Sequence, residues 1–270
     1  MTRSQHPLVV VGDSISQGFR SGAVTRVDLS YGAMLARALG SGSSFRVPSF
    51  EGEGGLPLNL EALLRKTSEH FGERVSWYEA IPMLTATRAF MARVERYWER
   101  GNGSEPVEPA LHHNLSVWGF EVRDAYTVNA RICRNVVGEA RNHFLRQIPS
   151  EPMYRTAVRV LDPGNEPERA GWSQLDVARE LAQRGGVENL IVALGANNAL
   201  GTVLSLDLRW SEEEDLHGLP FERSANLYRP EHFARLYARL ADRVDQVRAE
   251  RVFVATVPHV TIPPVTRGVS

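Results

Sequence analysis

The chain has 270 residues, 43% of them hydrophobic, and its 31 Lys and Arg stand against 32 Asp and Glu for a formal net charge of -1. That composition excludes a disordered chain, and the basic residues are dispersed among acidic ones without the stripe of a phosphate-backbone binder, so nucleic acid is not an expected partner. The single cysteine, Cys133, rules out an intramolecular disulfide, and no run approaches the roughly 18 apolar residues needed to cross a membrane.

Met1 to Pro7 is polar and leads directly into a strand, so no signal peptide is expected. A cytoplasmic protein is the default reading and a trimmed secreted form the alternative. Leu8 to Val11 is a β-branched run ending at Gly12, the pattern of a buried strand. Tyr31 to Leu39 has helical spacing and stops at Gly40, and Phe45 to Phe50 suits a second strand. Leu58 to His70 and Tyr78 to Arg100 read as helices that break at Gly101-Asn102-Gly103. Leu115 to Trp118 reads as a strand ending at Gly119, and Val122 to Arg146 as one helix with Cys133 inside it. The prolines and glycines of Glu151 to Gly171 suggest an exposed loop. Ser173 to Arg184 fits a helix with Ser173 as N-cap. Leu190 to Leu194 is a buried strand ending at Gly195, Ser205 to Pro230 is irregular and acidic, Pro230 to Arg248 is helical, and Arg251 to Val257 is a last buried strand ending at Pro258.

Strands that are uninterrupted apolar runs, alternating with helices, indicate an α/β domain with a parallel sheet covered on both faces. Ligands of such sheets sit beyond the carboxyl ends of the strands. The residues found there are Gly12-Asp13-Ser14, Gly119, Gly195-Ala196-Asn197-Asn198 and Pro258-His259. Each has a plain structural reading: Asp13 or Ser14 as a helix cap, Gly119 as a turn glycine, the two asparagines as turn formers. Each also has a chemical one. A serine becomes a nucleophile when a base takes its proton and donors stabilise the oxyanion, and a glycine N–H or an asparagine amide can be such a donor.

Gly12-Asp13-Ser14 after the first strand, Asn114 to Gly119 in a middle one and Gly195-Ala196-Asn197 after a later one follow the order of the first conserved blocks of the SGNH/GDSL hydrolases, a family this chain resembles from Leu8 to Pro258. The resemblance implies a flavodoxin-like three-layer sandwich over residues 1–270 as a single domain. It implies hydrolysis of a carboxylic ester (an acyl lipid, a short-chain ester or an acetylated sugar) through an acyl-enzyme on Ser14. The oxyanion hole would combine the N–H groups of Ser14 and Gly119 with the Asn197 side chain. The Gly-x-Ser-x-Gly elbow of the α/β-hydrolases is absent, and so is a phosphate-binding Gly-rich loop with lysine.

Two departures from the family stand out. Members carry Asp-x-x-His near the C-terminus, and no aspartate here has a histidine three residues on. Glu214 and His217 have that spacing but occur too early and read as solvated surface. The preferred reading is that the C-terminal catalytic block is absent from this sequence, as a fragment or with residues beyond Ser270 supplying the base, and His259, at a strand end, is the alternative base. The missing block motivates a second reading, a ligand-binding module of the same fold without catalysis; acyl transfer from the same serine is a third. Second, a helical insertion over about 51–110, with Trp77, Tyr78, Phe90, Tyr97 and Trp98, reads either as a cap over the site or as an elaboration on the sheet edge. Asn198 stands where an aspartate is usual. No cofactor is expected. His112 and His113 are strand neighbours facing opposite ways, the other histidines (His6, His70, His143, His232) are isolated, and no metal is expected.

Overall fold

A computed structural model of the protein describes residues 4–50, 52, 54–72, 74, 76–106, 108–139 and 148–258. The valines of β1 (Val9–Gly12) are fully buried, as expected for a central strand flanked by apolar layers. The short α1 (Ser14–Gln17) follows directly, then β2 (Ala23–Val24) and α2 (Tyr31–Ala38), whose N-cap Ser30 accepts the Ala33 N–H. Next come β3 (Leu56–Pro57), antiparallel to β2, and the helices α3 (Leu60–Phe71) and α4 (Ala80–Arg100). The second half contains α5 (Asp124–Thr127), α6 (Ala130–Glu139), α7 (Pro152–Leu161), α8 (Gln174–Gly185), β4 (Asn189–Ala193), α9 (Asn197–Ser205), α10 (Pro230–Asp245) and β5 (Arg251–Val254).

The protein is a mixed α/β structure whose main sheet is parallel, in the order β1-β4-β5. Val9 pairs with Leu190 and Gly12 with Ala193, so the carboxyl ends of β1 and β4 lie level. The expected strand at Leu115 to Trp118 is present as an extended segment. Val10 donates its N–H to the His113 carbonyl at 2.8 Å, and Leu115 and Val117 donate to Val10 and Gly12 at 2.8 and 3.1 Å. Only Asn114 forms a regular bridge with β1. Phe45 to Phe50 is not a strand; it is tied to this segment mainly through Arg46, whose carbonyl accepts from His113 and Asn114 and whose N–H goes to His113 Nδ1.

Two further expectations need correction. Val122 to Arg146 is not one helix: α5 ends at Thr127, and α6 starts anew at Ala130 because the Asn129 side chain caps it by accepting the Ile132 N–H. Residues 140–147 lie outside the described part. Glu151 to Gly171 is not an exposed loop, since its first half is α7, buried from Tyr154 to Leu161 apart from Arg155. Pro152 occupies the first turn, where its missing N–H costs nothing, and Pro163 and Gly164 fall after the helix end, so the prolines bound the helix rather than break it. The insertion contributes to the core: α4 buries Phe90, Val94 and Trp98 in the main apolar cluster, while Trp77 and Tyr78 stay 89% and 65% exposed.

The two faces of the sheet are packed unequally. Val9, Val11, Leu190 and Val192 point into the main cluster with residues of α7, α8 and α10. Leu8 and Val10 form a small cluster with Ala33 and Ala36 of α2 and Phe45, against which Val47 and Ile191 pack. Beyond α2 this second face opens into a groove of about 700 Å³ bounded by Leu35, Leu39, Ile191 and Phe253. The last strand is not buried as expected: β5 ends at Val254, lies at the edge of the sheet and is exposed along its length, so its apolar run does not mark a covered strand. Among the described residues no helix is long and apolar enough to cross a membrane.

Candidate functional site at the carboxyl edge of the sheet

The chain turns sharply out of β1 because position 12 is glycine: a Cβ there would sit 2.8 Å from the Ala193 carbonyl oxygen and would strike the Ser16 hydroxyl. Asp13 is the N-cap of α1, its carboxylate accepting the Ile15 N–H at 3.0 Å. Burial lifts the Asp13 carboxyl to about 6. The capping role therefore falls to Asp13, and Ser14 opens the helix half-buried. Among the described residues neither its hydroxyl nor its N–H has a hydrogen-bond partner.

Gly119 is brought to the same edge by its own neighbours. Trp118 donates its N–H to Gln17 Oε1 at 2.9 Å, its indole N–H goes to Thr156 Oγ1 at 3.0 Å, and its ring packs on Phe19. Gly119 has φ +81°, and a Cβ there would meet Met153 Sδ at 2.8 Å. Its N–H has no acceptor among the described residues. Below these turns the buried Gln174 Nε2 donates to the carbonyls of Gly12 and Leu115 at 2.9 and 2.6 Å, joining the ends of the two segments. Asn114, also buried, gives its amide to the Ser16 carbonyl and Ser30 Oγ while accepting the Ser116 N–H.

Asn197 begins α9 just beyond β4 and donates through Nδ2 to the Phe120 carbonyl at 2.8 Å, next in sequence to Gly119. An amide carries two N–H groups, and the second has no acceptor among the described residues. Asn198 turns inward instead, accepting the Val122 N–H at 3.1 Å. Ser14, Gly119 and Asn197 thus share one edge of the sheet, through contacts between residues 17 and 118 and between residues 120 and 197.

None of the described histidines hydrogen-bonds to Ser14. His6 Nδ1 lies 2.9 Å from His113 Nε2, and His113 Nδ1 accepts the Arg46 N–H, so the proton between the rings belongs to His113. His112, facing away, has Nε2 at 3.7 Å from Glu108. Burial depresses both His112 and His113 to about 3. His70 contacts the Lys66 carbonyl, and the exposed His217 pairs with Glu213, not with Glu214. His143 and His259 lie outside the described residues. No group of three or more His, Cys, Asp or Glu suited to a metal occurs among the described residues. Cys133 is buried in α6, and burial pushes its thiol upward, away from reactivity.

Sequence reading missed two constellations. Ser211 Oγ meets His232 Nδ1 at 2.9 Å with Glu213 3.8 Å from His232 Nε2, the outline of a serine triad. Ser211, however, is wholly buried and its hydroxyl accepts the Arg229 N–H, while Glu213 is held by both nitrogens of Arg235. It is a strut at the start of α10. The second is a buried ionic cluster: Arg223 binds Glu121 at 2.5 Å and also Asp124, and the Tyr228 hydroxyl donates to Glu121 at 2.7 Å. Burial raises the Glu121 carboxyl well above the usual carboxylate range against the pull of Arg223. Its members are about a hundred residues apart, and no local spacing joins them.

Compared with models of known protein families, with curated proteins and with solved structures, the chain matches none.

Proposed function

We propose that the protein is a serine hydrolase of carboxylic esters, of the SGNH/GDSL kind and with that family's flavodoxin-like sandwich, using Ser14 as nucleophile. The observation that supports this reading is that the turns bearing Ser14, Gly119 and Asn197 are tied to one another at one sheet edge, each of the three with a hydrogen-bonding group not committed to the fold among the described residues. In this mechanism Ser14 Oγ attacks the ester carbonyl and its proton passes to a base. The oxygen that gains charge receives the N–H groups of Ser14 and Gly119 and the second N–H of Asn197. The alcohol leaves with the proton, and water then releases the acid from the serine ester. None of the described histidines supplies this base; the base is either His259, which follows Pro258 in the sequence and lies outside the described residues, or a residue beyond Ser270.

The competing reading is a ligand-binding module of the same fold, favoured by the lack of a hydrogen bond between Ser14 and any of the six described histidines. Intact-mass labelling with a fluorophosphonate separates the two. A hydrolase gives one adduct, absent from Ser14→Ala, whereas a binding module gives none on either protein. The aromatic end of the insertion, with exposed Trp77 and Tyr78, is read as a cap in the hydrolase and would contribute to apolar acyl chains.

A further inference from the structure

Gly119 and Asn197 belong to different parts of the chain, and a donor pair is useful only if its separation is fixed. A displacement of about 1 Å in a reacting geometry can cost on the order of a hundredfold in rate. Apart from the single bond from Asn197 to the Phe120 carbonyl, what fixes them lies beneath, around one carboxylate. Glu121, two residues after Gly119, accepts from Arg223 at 2.5 Å and from the Tyr228 hydroxyl at 2.7 Å, with the Asn198 amide at 3.5 Å. Asn198 is the neighbour of Asn197; it also accepts the Val122 N–H, and its carbonyl takes the Tyr228 N–H at 3.0 Å. Asp124 closes the loop on itself by accepting the Glu121 N–H at 2.9 Å and binds the same guanidinium. Every strand of this knot ends on the Gly119 loop, on the start of α9, or on the segment from Arg223 to Tyr228 that lies against both.

We propose that Glu121 is a positioning residue which, through Arg223, Tyr228 and Asn198, sets the spacing between the Gly119 N–H and the Asn197 amide. Two acids and one arginine buried together are a poor device for stability alone, since an apolar cluster of the same volume is commonly as stable or more so. What an ionic knot supplies is direction: the guanidinium fork admits its two carboxylates in one arrangement, and the loop that carries them follows. This assignment rests on the oxyanion role given to Gly119 and Asn197 in the proposed function.

The test is Glu121→Gln, which keeps the side-chain length and leaves Arg223 paired with Asp124, beside the milder Tyr228→Phe. Turnover of a p-nitrophenyl ester is measured per serine titrated by fluorophosphonate, and amide hydrogen exchange is followed in residues 117–122 and in β1. Glu121→Gln should lower kcat per labelled serine by roughly tenfold to a hundredfold with KM within about twofold. Tyr228→Phe should shift it less in the same direction, and exchange should quicken in 117–122 but not in β1. Unchanged kcat per labelled serine, with only a lower yield or Tm, overturns the proposal and leaves the cluster a structural one. If the unsubstituted protein neither labels nor turns over, the hydrolase reading fails by itself, and exchange then decides: a loop loosened in Glu121→Gln supports the positioning role, and a loop unchanged overturns it.

Discussion

At the amino end of β1, His6 and His113 bury their imidazoles against each other, and the outer nitrogen of His113 is taken by the Arg46 N–H. At the carboxyl end, Gln17, Gln174 and Asn114 are buried as deeply and stitch the turns together, yet they surround a half-buried Ser14 whose hydroxyl is unused among the described residues. Both ends are polar and both are held by side chains. The difference lies in what is left over. At one end the bonded atoms close a strut, while at the other the bonds fix three groups whose own donors remain available. Buried polarity alone does not mark a site; uncommitted groups held in place by committed ones do.

Removing those groups breaks the comparison most severely. In the proposed hydrolase, Ser14→Ala should abolish fluorophosphonate labelling and lower ester turnover by at least about a thousandfold, because the acyl bond of that mechanism forms on the Ser14 hydroxyl. Its melting temperature should stay close to that of the parent, since the hydroxyl supports no contact among the described residues. A variant with undiminished turnover would remove Ser14 from the mechanism. Asn197→Ala should come next. Loss of one oxyanion donor typically costs roughly a hundredfold to a thousandfold in kcat, with labelling slowed rather than abolished. Equal effects on KM and kcat/KM with kcat untouched would show that Asn197 only binds substrate.

Gly119→Ala is expected to touch both stability and rate. The backbone there sits at φ +81°, and the new methyl would press on Met153. Left-handed backbone costs a non-glycine residue about 1–2 kcal/mol, which urea unfolding would resolve. If the loop escapes the strain by moving, turnover drops with the N–H; if Met153 yields instead, stability alone falls. Either way the variant separates a turn glycine from a donor glycine, the two readings the sequence left open.

The parts legible in the sequence were those written in short runs. Three valines before Gly12, Leu-Ile-Val before Ala193 and Pro at the head of α10 each combine a local pattern with a local cause, and each element appears where that cause puts it. The α7 helix was hidden because its prolines and glycines, read as composition, outweighed the apolar spacing of Tyr154, Ala157, Val158 and Leu161, read as periodicity. At the site, Ser14, Gly119 and Asn197 could be picked out by their place after strands. The groups that hold them could not. Gln174, Glu121 and Arg223 look like ordinary surface residues of helices and loops, and only the fold brings them under the turns. Position relative to a strand is a local fact, whereas a hydrogen bond spanning 162 residues is not.

The smallest expected effect probes the opposite end of β1. Burial, then Arg46, hold His113 at about 3 in the folded protein, and burial lowers His6 as well. An unfolded histidine titrates near 6.5, so above that pH both states are neutral and the pair contributes its full stability. Below it the unfolded chain takes up a proton that the folded one refuses, and stability falls by up to about 1.4 kcal/mol per pH unit for each such histidine until the folded value is reached. Asp13 works in the other direction: its carboxyl, raised to about 6, binds a proton in the folded state first, so its burial cost is relieved as pH falls from 6 towards 4. The net slope of the parent protein therefore mixes opposing terms, and the difference between two proteins isolates one of them. In His113→Gln the Asp13 contribution is unchanged, so urea unfolding at pH 7 and pH 5 should show a smaller loss than in the parent, by roughly 1–2 kcal/mol. Equal losses would mean that the His113 ring takes up its proton without leaving the fold, and that the strut at the amino end is as open to chemistry as the edge that bears Ser14.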